Sequence, residues 1–340
     1  MSNFIETYLK QHWNRLKLNR FGPPKQLQSD IIIPSFDTSS HLIFLISNGT
    51  PSPVLVAKLS REKQSDFTLT REYKNLQFLQ SLDSDIAKAI PVPVTLDSPQ
   101  GHPLLLETAV PGKILRPYLL RKNFTVLTGR TITWLQRLHR QSLVHSDLRS
   151  LVENMQEAFI RNIPQIQKQD LFAKTVKAGR IISDNMTVSV TEHGDLDSPN
   201  LLLTPDGKIG IIDWELGRRQ GFPLLDLIFF LAFALFSREK ARTGSEQKAS
   251  FLKHFFQPNS QGLTRIHHYA RELDLDPDWV PSLFLLCWFQ AMLNQLLRWP
   301  PQTPAERYTR LVRNRYYLLW ETTAKNFLEL KQSWRKTWMQ

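Results

Sequence analysis

"HGDLDSPNLLLTPDGKIGIIDWELG", residues 193–217, carries three oxygen-bearing side chains whose spacing governs how the rest of the chain is read. Asp195 and Asn200 lie five residues apart on a stretch of Gly, Asp, Ser and Pro, the composition of a loop. Two apolar runs follow, "NLLL" and "KIGII", joined by the turn dipeptide Asp206-Gly207, and they read as an antiparallel hairpin. Asp213 closes the second run thirteen residues after Asn200, so the hairpin is expected to bring Asn200 and Asp213 together. Phosphoryl transfer asks for little more than this. One carboxylate orients the attacking hydroxyl, and a few oxygen ligands hold Mg²⁺, which keeps several of its waters. Asp195 suits the first task, Asn200 and Asp213 the second.

A second phrase, "VHSDLRSLVEN" at 144–154, offers the same residue types. Its Asp147 and Asn154 are seven residues apart, and no apolar hairpin ending in a carboxylate follows. Ser150 and Glu153 instead have the spacing of a capping box, so His145 and Asp147 are expected to be loop and helix-start residues.

His-x-Asp-x-x-x-x-Asn alone is also a pattern that turns produce, because Asp and Asn favour them. Joined to "IIDWE" at hairpin distance and to "GFPLLDL" at 221–227, it resembles the aminoglycoside phosphotransferase and choline kinase-like group, relatives of the protein kinases. The resemblance runs over residues 30–300 and implies an α+β, bilobal protein-kinase-like fold. A small β-rich lobe, 1–107, would bind nucleotide. A larger helical lobe, 108–340, would carry the catalytic and metal-binding loops and the acceptor site.

The same resemblance assigns roles. Asp195 becomes the catalytic carboxylate, and Asn200 and Asp213 become ligands of Mg²⁺, with ATP or GTP as phosphate donor. Lys58 in "LVAKL" would reach the α and β phosphates, held by Glu72 of the following helix. Backbone groups of Glu107, Thr108 and Ala109 would read the adenine edge, with Val56 and Leu202 covering its faces. Asp226 would brace the catalytic loop. In "PSFDTSSHL", 34–42, no glycine stands where protein kinases have a Gly-rich turn, so Ser39 and Ser40 are left to cap phosphates. Asp197 replaces the His often found after "HGDL". His193 is expected to support the loop, and His139 to be structural.

Outward from the motif, the first hundred residues read as strands "DIIIP", "HLIFLIS", "PVLVAKL" and "HPLLLET", with one helix at 68–82 before the fourth. Beyond Pro111-Gly112 the pattern turns helical, apart from a β interlude at 187–213. It ends in a long helix entered through Thr303, Pro304 and Glu306. The apolar runs 223–236 and 282–289 fall short of the roughly 20 residues that cross a bilayer and are expected to be core helices. Residues 1–20 lack a signal-like apolar run; Phe4, Ile5, Tyr8, Leu9, Trp13 and Leu16 recur there at helical spacing.

The net charge of +12 is concentrated at the ends, with five Lys/Arg against one Glu in 1–25 and eight against three acids in 305–340. A balanced middle argues against a phosphate-tracking groove for nucleic acid. It leaves the basic ends as solvated helix faces or as contacts for an anionic membrane or acidic partner. One cysteine, Cys287, rules out a disulfide framework and points to a reducing, cytoplasmic setting.

The expected activity is transfer of the γ-phosphate to a hydroxyl of a small molecule: a sugar, an amino alcohol, an aminoglycoside-like compound or a lipid head group. "RELDLDPDWVP" gathers Glu272, Asp274, Asp276 and Asp278 beside Trp279, either to receive a cationic acceptor or to cap the helix near Pro281. The alternative is a catalytically silent nucleotide-binding scaffold that docks through its basic terminal helices. The orienting Asp, the metal ligands and the strand Lys that such relatives lose are all present.

Overall fold

Apolar residues alternating along "HLIFLIS" and "VLVAKL" make the central strands of a sheet, as side chains with a period of two must. The computed structural model describes residues 2–32, 41–63, 66–300 and 302–340. In chain order these hold α1 (Ser2–His12), β1 (Leu27–Ile32), β2 (His41–Asn48), β3 (Leu55–Ser60), α2 (Phe67–Gln80), α3 (Ser84–Ala87), β4 (Pro93–Asp97), β5 (Leu104–Thr108) and β6 (Lys113–Ile114). Next come α4 (Pro117–Lys122), α5 (Phe124–Ser142), β7 (Val144–His145), α6 (Arg149–Asn162), α7 (Asp170–Asn185) and β8 (Val188–Glu192). The motif contributes β9 (Leu201–Leu203) and β10 (Ile209–Ile211), followed by β11 (Arg218–Gly221). The remainder is α8 (Leu225–Glu239), α9 (Gly244–Phe255), α10 (Gln261–Glu272), α11 (Val280–Leu297), α12 (Pro304–Leu311), α13 (Arg315–Lys325) and α14 (Phe327–Trp338).

Two units divide the chain. The first is Met1–Ile114 with Asn200–Gly217; the second is Leu115–Pro199 with Arg218–Gln340. In the first, antiparallel strands run in the order β1-β2-β3-β5-β4. The apolar stripe of α1, Ile5, Tyr8 and Leu9, together with Trp13 just past its end, is buried in one cluster with Leu27, Phe44, Ile46, Leu55 and Ala57. Each large side chain so buried is worth about 1.5–3 kcal/mol, and this anchors the strands that carry Val56 and Lys58. Asp66 starts α2 by accepting the N–H groups of Thr68 and Leu69, at 3.0 and 3.1 Å.

The boundary expected at residue 107 differs from the observed division in two ways. The first unit continues to Ile114, and it takes in the β9–β10 hairpin that chain order assigned to the helical lobe. The reason is pairing: β6 aligns Lys113 with Leu203 and Ile114 with Leu202, and the Ile211 N–H donates to the Ala89 carbonyl at 2.7 Å. Strand β4 was also not anticipated; its residues are half-buried and open with Pro93, which gave no alternating signal.

The second unit places a β7-β8-β11 sheet among helices. α11 is long and apolar enough to cross a membrane by length and composition, yet it is largely buried within this unit. A helix apolar on all sides is a core helix, as expected for both apolar runs. Around it Phe229, Phe233 and Tyr316 pack as an aromatic cluster with Trp288.

The single terminal helix expected from Thr303 onward is broken into α12, α13 and α14. Asn314 accepts the Tyr316 N–H at 2.8 Å and restarts the chain as α13, a polar cap that helical periodicity passes over. The Thr303–Glu306 capping box does form. The one expected between Ser150 and Glu153 does not: α6 begins at Arg149, whose N–H donates to Asp147 at 2.8 Å.

Trp320 of α13 is fully buried, and its indole N–H donates to Thr175 of α7 at 2.9 Å. Trp320→Ala is expected to cost about 3–5 kcal/mol in urea unfolding, from the cavity it leaves.

Candidate active site

In the first unit one ammonium organises the site. Lys58 Nζ donates to both oxygens of Glu72, at 2.7 and 2.8 Å, and to Asp213 Oδ1 at 2.9 Å. An ammonium has three donors, so all three point at carboxylate oxygens. Lys58 and Glu72 are buried, at 7% and 0% side-chain exposure, while Asp213 remains 34% exposed at the mouth of the cluster.

Asp213 is placed by the hairpin. β9 and β10 pair Leu201 with Ile211, and the Ile212 N–H donates to the Asn200 carbonyl at 3.0 Å, which brings Asn200 and Asp213 to the same end as the spacing predicted. Asp213 itself takes a left-handed conformation, φ +69°, which Asp tolerates better than most residues. The backbone after it is held by α2. Glu72 accepts the Trp214 N–H at 3.0 Å, and Asn75 donates to the carbonyls of Trp214 and Gly217. Glu72 therefore fixes both Lys58 and the segment that presents Asp213. Asn200 and Asp213 offer one amide and one carboxylate oxygen, a hard donor pair that suits Mg²⁺ with its retained waters. No cage of three or more His, Cys, Asp or Glu exists among the described residues.

Glu107 enters differently from its sequence assignment. Named for its backbone, it proves to have a buried side chain whose Oε2 has no hydrogen-bond partner among the described residues. Burial pushes its carboxyl up to about 7 against the pull of Lys58. Burial likewise pushes Glu72 up to about 8, opposed by Lys58 and reinforced by Glu107 and Asp213. Lys58 is desolvated too, but Asp213, Glu72, Glu107 and Glu215 outweigh this and hold its pKa well above the ordinary value. Several carboxyls thus share one cation.

The adenine-edge assignment needs a correction. The Thr108 N–H donates to the Val92 carbonyl at 2.9 Å and the Ala109 N–H to the Val54 carbonyl at 3.0 Å, so neither is open to a purine. Strand β5 and the residue after it are stitched into the sheet on both sides, which is why these donors are engaged. Val56 lies half-buried on β3 and Leu202 is buried on β9. Ser39 and Ser40 lie outside the described residues.

The second unit holds the loop with Asp195. Asp226, 2% exposed, accepts the N–H of His193 at 2.6 Å and of Gly194 at 2.9 Å, the bracing expected of it. Gly194 adopts φ +82°, which a side chain would resist. Burial and neighbouring Glu192 push the Asp226 carboxyl up to about 7. Glu192 accepts from Gln290 at 2.7 Å and from the Phe222 N–H at 3.2 Å. His193 is fully buried and its Nδ1 accepts the Asp195 N–H at 3.3 Å, a loop-supporting role. His139, also buried, meets the Tyr269 hydroxyl at 2.8 Å and is driven down to about 3 by desolvation, consistent with a neutral structural ring. The Asp195 carboxylate stays 25% exposed, with Arg298 Nη1 at 3.4 Å. Arg298 and Arg315, the latter 3.9 Å from Asp197, were not read from sequence. They stand a hundred or more residues away, and no local pattern marks them.

Comparison with known proteins agrees with this geometry. The model of the phosphotransferase enzyme family matches residues 37–269, and the chain belongs to that family. Among curated proteins none matches the sequence. Solved structures do: a choline kinase of Streptococcus pneumoniae has a TM-score of 0.53 at 12% identity, over 88% of this chain and 98% of that one. An ethanolamine kinase of Plasmodium vivax has a TM-score of 0.54 at 14% identity, over 90% and 85% respectively. An aminoglycoside phosphotransferase of Streptomyces rimosus, in complex with ADP and streptomycin, has a TM-score of 0.50 at 17% identity, over 86% and 99%. At such identities the likeness establishes the fold, a protein-kinase-like one with a β-sheet lobe and a mainly helical lobe.

Two outcomes are expected. Carboxyls raised above their unfolded values, as Glu107 and Glu72 are, give stability that is complete below about pH 4.3 and is lost as pH rises through 7 to 8. Glu107→Gln should therefore unfold at higher urea than the wild type at pH 8, with the gap closing toward pH 5. Asp226→Ala orphans two N–H groups and should cost about 1–3 kcal/mol for each, measured in the same way.

Proposed function

We propose that this chain is an ATP-dependent kinase, using Mg²⁺ to move the γ-phosphate to a hydroxyl of a small molecule. The observation that carries the reading is the buried Lys58 shared between Glu72 and Asp213, with Asp213 at the hairpin end beside Asn200. Asp213 stays one-third exposed, so the charge cluster opens to solvent at the carboxylate that can take a metal.

Asn200 and Asp213 hold the metal in this reading. Mg²⁺ so held supplies charge neutralisation on the phosphate oxygens. Glu72 holds two of the three donors of Lys58, and the third, which meets Asp213, is the one that would face a phosphate with Asp213 engaged by the metal. Asp195 orients the acceptor hydroxyl and takes its proton as the new O–P bond forms and the bond from the γ-phosphorus to the ADP oxygen breaks. Braced by Asp226 through two backbone N–H groups, the loop keeps Asp195 in place without reorganisation during transfer.

The test is ATP consumption with Mg²⁺ against sugars, amino alcohols, aminoglycosides, sugar phosphates and lipid head groups. Asp195→Asn should lower kcat by about 10²–10⁴ while leaving the affinity for ATP nearly unchanged. Equal turnover by the variant contradicts the role of Asp195. Protection by nucleotide without transfer to any acceptor supports the silent scaffold instead.

A further inference from the structure

Resting on the kinase reading, we propose that the acceptor bound beside Asp195 is a hydroxyl compound bearing an anionic group, a phosphate or carboxylate, and that Arg298 and Arg315 hold it. Cationic amines are then poor acceptors.

The argument begins with what surrounds the two aspartates in the second unit. Arg298, at the C-cap of α11, stands 3.4 Å from Asp195 at 30% side-chain exposure. Arg315, the first residue of α13, stands 3.9 Å from Asp197 and is 45% exposed. That distance lies beyond hydrogen-bond length, so the pair attracts without occupying the donors of the guanidinium fork. The fork is held in orientation from below. Its carbon lies 4.4 Å from the centre of the Phe233 ring and 5.1 Å from that of Tyr316, and Nη2 donates to the Tyr316 hydroxyl at 3.1 Å. A planar, pre-oriented, half-exposed guanidinium is the group best suited to a phosphate or carboxylate. Placed at the start of α13, Arg315 also adds to the positive end of that helix dipole.

Asp197 faces Arg315 across that gap. Burial raises its carboxyl, with Arg315 opposing. In the resting chain the two arginines balance the two aspartates. An anionic acceptor takes over the guanidiniums and leaves Asp195 to receive the hydroxyl proton, whereas an ammonium on the acceptor would have to displace the guanidiniums from those same carboxylates. The acidic run Glu272–Asp278 offers no counterweight. It precedes the start of α11, while Arg298 closes its end, and an 18-residue helix separates its ends by about 27 Å. Asn294, near the same end as Arg298, donates to the Gly194 carbonyl, which places that end of α11, and not its start, against the Asp195 loop.

The experiment is isothermal titration of the full chain, with ADP and Mg²⁺ present, against two matched sets. One is glucosamine, glucose 6-phosphate and gluconate; the other is ethanolamine, glycerol 3-phosphate and glycerate. The anionic members of at least one set should bind about tenfold or more tighter than its amine, with the phosphate and carboxylate arms telling which anion is preferred. Arg315→Ala should remove that preference and Arg315→Lys restore part of it, with Arg298→Gln as a second variant at a less packed position. The inference is overturned if the amines bind as tightly as the anions, if no member binds, or if the preference survives in Arg315→Ala and Arg298→Gln. Phosphate transfer to the same compounds is followed in parallel. Transfer to an amine with no anion preference overturns this inference and leaves the kinase reading intact. Anion binding with no transfer to any acceptor supports the anion site and counts against the kinase.

Discussion

A single buried ammonium sets the terms for the first unit. Lys58 cannot be desolvated without carboxylates around it, and the chain supplies Glu72 from a helix, Asp213 from a hairpin and Glu107 from a neighbouring strand. Because Glu72 also accepts the Trp214 N–H, holding the lysine and positioning Asp213 are one act. The helix α2, the strand β3 and the hairpin are thus tied at one point. This is the reason a segment late in the chain belongs structurally with its beginning. Excess negative charge around one cation is unfavourable in a sealed core. It becomes reasonable at a site that expects further positive charge to arrive.

The second unit solves a different problem, the placing of a partly exposed carboxylate, Asp195, on a loop. Its answer is layered burial. Asp226 accepts two N–H groups of the loop, and Glu192, which closes strand β8, is in turn satisfied by Gln290 and Phe222. Leu224, just ahead of Asp226, is held at φ +76°, a conformation costing a leucine about 1–2 kcal/mol. Strain of this kind persists only where the surroundings over-determine it, and here it starts the helix that delivers Asp226 to the loop. Asp195 itself remains partly exposed, so the burial lies in its support and not in its own carboxylate.

Much of this could be read without coordinates. Period-two apolar runs located β2, β3 and β5, helical spacing located α1 and α2, and the Asp-Gly turn between two apolar runs located the hairpin. Lys58 and Glu72 followed from resemblance and meet as implied. Where reading failed, a local polar contact had overruled periodicity. Asn314 interrupts a stretch that looks like one helix, and Asp147 starts α6 where Ser150 and Glu153 had the better-known pattern. Backbone groups of Glu107 to Ala109 were assigned to a ligand, and a sequence does not show that strand partners claim the N–H groups of Thr108 and Ala109.

By itself the sequence determined the order of elements and the spacing of Asp195, Asn200 and Asp213, because those depend on neighbours a few residues away. Only the tertiary structure decided which unit the hairpin joins, that the Glu107 side chain shares the field of Lys58, and that Arg298 and Arg315 flank Asp195 and Asp197. Charges separated by a hundred residues of chain feel one another only once packing has brought them within a few ångströms and excluded the water that would screen them.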